Sequence, residues 1–359
     1  MSLIQRNEEL SSLERVVLTL QRKEVDRIPA IPLVCGASYR VTGSRYDKWS
    51  QDAEIATQSL LAAQELIGQD AFLLLVDLSV EAADFGQEII YPKFSTAYPD
   101  FNNQFIKTPG EYEKIGKINP RETTRMKQVI DTVKGLSAAK GNEVAIFGFV
   151  YGPLGVLSQI RGHKELFVDL IKHPEEVLAS VDVITDVLIE YAEAQIEAGA
   201  HSIVIDPLYS SGTVLRNTTW EKFEGPYLKR LADAIRAAGS AVAIHNCGGG
   251  VYFEEVIKWS DPVAISVAYP AHGAKDWEEH AKTWGDKIIT IGYSDPAETG
   301  LVFTADEVLE DVKRQLDLFK KHNAGFILSS GCEFPPNGNL LNAAAMVEAS
   351  RRYGRWSIK

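Results

Sequence analysis

The chain has 359 residues, 45% of them apolar, enough to bury one large core, which excludes a disordered or fibrous protein. Its 37 basic and 49 acidic side chains leave a net charge of -12 with no Lys/Arg-rich run, which argues against nucleic acid as a partner. No apolar stretch approaches the ~20 residues that cross a bilayer, and the N-terminus MSLIQRNEELSSLERVV is polar and helical in pattern, so the expectation is a cytoplasmic protein with no membrane contact.

In chain order, short β-branched apolar runs alternate with helical segments. Asn7–Gln21 reads as a helix that caps the bottom of a barrel. Strands follow at Ala30–Cys35 and Phe72–Val76. The stretch Gln87–Pro120, punctuated by Tyr-Pro, Asn-Asn and Pro-Gly, reads as an elaborated loop after the second strand, with room for a hairpin. Val144–Val150 is the third strand. Pro174 opens a helix running toward Gly199, and Ser202–Asp206, Ala241–His245, Val263–Val267 and Ile288–Ile291 supply four more strands. Thr304 with Glu307 forms a capping box, Gly325 follows that helix, and Phe326–Leu328 is the eighth strand. This alternation, with no repeat and no linker, predicts an α/β fold: a single (β/α)8 TIM barrel spanning residues 1–359, with an N-terminal helical cap.

In such a barrel the chemistry lies at the C-terminal ends of the strands. Ala241–His245 runs directly into Asn246, Cys247 and three glycines. Residues two apart on an extended chain point to the same side, so His245 and Cys247 project together. Gly248, Gly249 and Gly250 leave room beside them and let the backbone turn into the next helix, which an ordinary pair of core residues would not need. Cys332, in Ser-Ser-Gly-Cys-Glu-Phe-Pro-Pro past the last strand, comes to the same face. Two thiolates and one imidazole suit a tetrahedral zinc with one position open, a catalytic rather than a closed structural site. Cys35 lies in an apolar context and takes no chemical role, and three cysteines make no even disulfide framework. A zinc neutralised by two thiolates still strips the proton from a coordinating thiol, whose free pKa is near ~8.5, and leaves a thiolate suited to alkyl transfer to sulfur.

Four further segments carry a resemblance: Asp77-Leu78-Ser79-Val80-Glu81-Ala82-Ala83-Asp84-Phe85-Gly86, Gly152-Pro153-Leu154 with Arg161-Gly162, Asp206-Pro207, and Gly331-Cys332-Glu333-Phe334-Pro335-Pro336. From Asp26-Arg27-Ile28-Pro29 to the terminal Met346–Gly354, the chain resembles the uroporphyrinogen decarboxylase superfamily. Within it, His245, Cys247 and Cys332 match the zinc ligands of the methylcobalamin:coenzyme M methyltransferase branch. The resemblance implies zinc, methylcobalamin carried by a separate corrinoid protein that docks over the barrel mouth, and a methyl acceptor such as coenzyme M or a related small thiol. The decarboxylases are metal-free and carry an Arg-Gln-Ala-Gly-Arg segment after their first strand. Here Cys35-Gly36-Ala37-Ser38-Tyr39-Arg40-Val41-Thr42-Gly43 offers only Arg40, a poor grip for a polycarboxylate.

The remaining candidates are the residues flanking this centre. Asp77 and Glu81 either reach the mouth, as a resting ligand, proton acceptor or partner of His245, or satisfy backbone donors at a helix N-terminus. Tyr151 stands at a strand end for cofactor or substrate contact, Asn246 lies between two ligands, and Asp206 ends its strand with a charge that stability does not explain. His163, His201 and His272 take no assigned role. Two competing readings are a tetrapyrrole decarboxylase that uses Asp77 and Tyr151 without zinc, and a non-enzymatic corrinoid-binding or scaffolding subunit with a structural zinc.

Overall fold

Every apolar run expected to be a strand forms one, except the first. The structure, a computed structural model, describes residues 8–355, so the first residue of the expected Asn7–Gln21 helix lies outside it. Its strands are β1 (Ala71–Leu73), β2 (Ile89–Ile90), β3 (Tyr98–Pro99), β4 (Ala145–Tyr151), β5 (Ser202–Asp206), β6 (Ala241–Asn246), β7 (Ala264–Val267), β8 (Ile289–Ser294) and β9 (Phe326–Ser330). Seven of them make one parallel sheet in the order β1-β4-β5-β6-β7-β8-β9, with helices on the outside.

The expected first strand, Ala30–Cys35, is reduced to a single parallel bridge between Ala30 and Leu328. Pro29 and Pro32 have no amide hydrogen, so this stretch cannot sustain a ladder. It nevertheless touches both edges of the sheet. The Ile31 amide donates to the Leu328 carbonyl (2.7 Å) and the Leu328 amide to the Pro29 carbonyl (2.9 Å), while the Asp70 amide, next to β1, donates to the Ala30 carbonyl (2.9 Å). The sheet therefore curls in the manner of a TIM barrel, with seven regular strands rather than eight.

The two ends of the sheet do different work. At the N-terminal end, helix Ser12–Leu20 begins in a Ser11/Glu14 capping box, and its Leu13 amide donates to the Glu143 carbonyl just before β4. The fully buried Arg15 guanidinium meets Asp70 at 2.8 Å and Asp26 at 2.7 Å, and Arg27 meets Asp70 at 2.7 Å. A buried carboxylate shared by two guanidiniums, on the face opposite the strand C-termini, is a stability device. At the other end, the Gln87–Pro120 region carries the antiparallel pair β2 and β3. The Gln87 side chain ties its base together, donating to the Asp100 carbonyl and accepting from the Phe105 amide.

The helix opened by Pro174 runs to Glu197, and the Thr304/Glu307 capping box starts Ala305–Lys321. No helix among the described residues is long and apolar enough to cross a membrane.

Candidate metal centre

Strand register builds the centre. β4 pairs Tyr151 with Asp206 of β5, β5 pairs Ile205 with Ile244 of β6, and β6 pairs His245 with Ser266 of β7. Tyr151, Asp206, His245 and Ser266 therefore form one row across the C-terminal ends of four parallel strands. Phe147, Val204, Ala243 and Ser266 line the barrel interior, so period-two alternation turns Tyr151, Asp206 and His245 inward as well.

Cys247 follows β6 by one residue, and Cys332 follows β9 by two. The loop carrying Cys332 is pinned at three points: the Gly331 amide on the Ser294 carbonyl (2.8 Å), the Phe334 amide on the Leu33 carbonyl (2.9 Å), and the Gly36 amide on Glu333 Oε1 (2.9 Å). Only glycine fits at 331, because a Cβ there would stand 2.6 Å from the Ala268 Cα. On the other side Gly250 adopts φ +66, the left-handed turn that sends the chain toward helix Phe253–Ser260.

The ligating atoms of His245, Cys247 and Cys332 all lie within 4.8 Å of one another, and no fourth histidine, cysteine or carboxylate joins them among the described residues. The cysteines are free thiols. His245 Nδ1 is 3.0 Å from Ser266 Oγ, which leaves Nε2 for the sulfurs. Burial works against a charged imidazole, but the bond to Cys332 and the charges of Asp206 and Cys332 outweigh it and raise the His245 pKa. The contact with Cys247, then that with His245, holds the Cys332 thiol well below its ordinary pKa, while the same contact and burial push Cys247 up. Two half-buried sulfurs and one buried, oriented imidazole nitrogen fit a zinc ion.

Around this cluster lie acids rather than bases. Asp206 is buried, and burial pushes its pKa up to about 7 even though His245 pulls it down. Its Oδ1 atom has no hydrogen-bond partner, and neither does the fully buried Tyr151 hydroxyl. Burial, and after it the Asp206 charge, pushes the Tyr151 phenol well above its usual range. Burial also pushes Glu333, the neighbour of Cys332, up to about 8.

The other sequence candidates are engaged elsewhere in the protein. Asp77 accepts from the Ser79 amide (2.8 Å) and pairs with Arg125 (2.6 Å), so both its oxygens are occupied. Glu81 accepts from the Tyr151 amide (3.0 Å), and burial pushes it up to about 7. The Asn246 carboxamide donates to the Pro207 carbonyl and Ser210 Oγ and accepts from the Gly248 amide, tying the loops after β5 and β6 together. His163 bonds Tyr209, His201 accepts from the Ile146 amide, and His272 packs on Tyr252, all outside the metal cluster.

Sequence reasoning did not single out Ser266, Glu333 or Glu224. Glu224 accepts from the Leu154 amide and from Trp220 Nε1, fixing the turn after Tyr151. Ser266 had a usable signal: a polar residue at an inward position of an otherwise apolar strand.

Comparison with known proteins bears on the family and the fold. The sequence model of the family described as uroporphyrinogen decarboxylase (URO-D) matches residues 11–353. The chain is 28% identical over 352 residues to a protein named methylcobamide:CoM methyltransferase MtbA from Methanosarcina acetivorans, covering 96% of this chain and 99% of that one. It is also 28% identical over 313 residues to a uroporphyrinogen decarboxylase from Geobacter metallireducens, covering 83% and 85%. Among solved structures, a methyltransferase from Methanosarcina mazei shares the fold with a TM-score of 0.82 at 21% identity, covering 96% of this chain and 99% of the other.

Proposed function

The chain belongs to the uroporphyrinogen decarboxylase family, and on that premise we propose that it is a corrinoid-dependent methyltransferase, moving a methyl group from methylcobalamin on a corrinoid protein to a small thiol such as coenzyme M or a related acceptor. The observation that carries this reading is the convergence of His245, Cys247 and Cys332 within 4.8 Å. A zinc ion held by these three side chains would lower the pKa of an incoming thiol and present it as a thiolate at neutral pH.

The protein's own residues supply position. Ser266 fixes the His245 ring, the pinned 331–336 loop fixes Cys332, and Glu81 and Glu224 hold the turn that carries Tyr151. Asp206 and Tyr151 contact the acceptor. In the transfer the methyl–cobalt bond breaks with its electron pair left on cobalt, the carbon–sulfur bond forms, and the thiol proton leaves to water. The reaction takes place at the C-terminal mouth of the curled seven-stranded parallel sheet, with the chain acting as one cytoplasmic catalytic unit.

The test is to incubate the zinc-loaded protein with free methylcobalamin and a panel of thiols while following the methyl–cobalt absorbance. Loss of that absorbance together with a methyl thioether product supports the reading. No transfer to any thiol, together with decarboxylation of uroporphyrinogen by the metal-free protein, would replace it with the decarboxylase alternative.

A further inference from the structure

Cys247 lies past the end of its strand. β6 pairs with β7 only as far as Asn246 with Val267, so sheet register fixes His245 but not the sulfur two residues on. The side chain between the two ligands does that work. Asn246 Oδ1 accepts from the Gly248 amide at 2.8 Å, which closes a small hydrogen-bonded ring across Cys247 and turns the chain at that residue.

The other end of the same carboxamide fixes this ring in the protein. Asn246 is fully buried, and its Nδ2 donates to the Pro207 carbonyl (3.0 Å) and to Ser210 Oγ (2.9 Å), both in the loop that follows β5. Ser210 Oγ gives its own hydrogen to the Pro207 carbonyl (2.7 Å) and so acts as acceptor toward Asn246. The position therefore calls for an acceptor at one end and a donor at the other, which a carboxamide supplies and a carboxylate does not. Backbone contacts join the same two loops: the Gly212 amide meets the Gly250 carbonyl and the Tyr252 amide the Ser210 carbonyl, each at 3.0 Å. The approach is so close that a Cβ on Gly248 would stand 2.5 Å from Ser211 Oγ.

We infer that Asn246 is a positioning residue for Cys247: by anchoring the turn after β6 to the loop after β5, it holds that sulfur within reach of His245 and Cys332. It acts through the turn and not by coordination. The inference rests on the three-residue cluster as a metal centre and is independent of alkyl transfer.

Metal binding tests it with no methyl donor or thiol present. Asn246→Ala removes both ends of the anchor, Asn246→Asp keeps the acceptor for Gly248 but loses the donors, and Ser210→Ala removes one partner while leaving the carboxamide in place. Each protein is loaded with cobalt(II) and the sulfur-to-cobalt absorbance per bound ion is recorded. Zinc affinity is measured by competition with a chelator, and urea unfolding is followed on the metal-free proteins. Asn246→Ala should lose about ten- to a hundred-fold in zinc affinity, as loss of such a supporting residue does, with a weaker band per cobalt as Cys247 leaves the ion. Asn246→Asp should fall between it and the wild type, and Ser210→Ala should lose about two- to ten-fold, the worth of one hydrogen bond. A lower urea midpoint with affinity and band unchanged would show a merely structural role and overturn the inference. Should Asn246→Ala fail to fold, Ser210→Ala decides by the same two readouts, and a wild type that binds neither ion sinks the metal centre and this inference with it.

Discussion

His245 Nδ1 and Ser266 Oγ stand 3.0 Å apart because β6 and β7 pair those two residues directly in register. A hydroxyl on the neighbouring strand thereby selects which imidazole nitrogen faces the sulfurs of Cys247 and Cys332. The strand pairing and the metal chemistry are coupled at this one contact.

Replacing Ser266→Ala removes that constraint without touching a ligand. Loss of such a supporting bond lowers metal affinity by about ten- to a hundred-fold. Competition with a zinc chelator measures it, and Ser266→Thr, which restores the hydroxyl, should recover most of the loss. Unaltered zinc affinity in the alanine variant would show that the ring is held by packing alone.

Cys332→Ala removes one of the two sulfurs of the three-residue cluster. The purified variant should keep its circular dichroism spectrum, since Cys332 lies in a loop beyond β9, yet retain no zinc after dialysis and transfer no methyl group. A variant that still carries one zinc per chain contradicts the three-ligand centre.

At the opposite end of the barrel, Asp70 receives Arg15, Arg27, the Ser12 hydroxyl and the Ala30 amide. Asp70→Ala leaves two guanidiniums facing each other in a buried space, and removing one partner of such a group costs about 3–5 kcal/mol. Urea unfolding should show that loss. Zinc affinity of the folded fraction should not move, because Asp70 sits at the N-terminal ends of the strands.

Stability should also depend on pH through His280. This imidazole is fully buried, accepts from the Ala271 amide at Nδ1 and meets Thr290 at Nε2, and burial lowers its pKa to about 4. Unfolded, it titrates near ~6.5, so between those values the unfolded chain binds a proton that the folded one refuses. Its contribution is complete above pH ~6.5 and falls by roughly 3 kcal/mol as the pH drops to about 4. Urea midpoints measured across that range should decline in the wild type and decline less in His280→Asn. Parallel curves for the two proteins would remove His280 from the account.

The sequence by itself determined the pieces whose meaning is local. A two-residue spacing on an extended chain puts His245 and Cys247 on one side, and the Thr304/Glu307 pair starts its helix where the residues say it should. Seven of the eight strand positions were legible from short apolar runs. The first was overcalled because its apolar character outweighed two prolines that deny it a hydrogen-bond ladder. The sequence also placed Cys332 beside that pair, but only the tertiary structure decided how close the three ligating atoms come, that Ser266 orients His245, and that the Tyr151 hydroxyl and Asp206 Oδ1, on residues paired in register, lack hydrogen-bond partners. Those facts depend on register between strands far apart in the chain, and register is set by the sheet closing on itself, which no local pattern encodes.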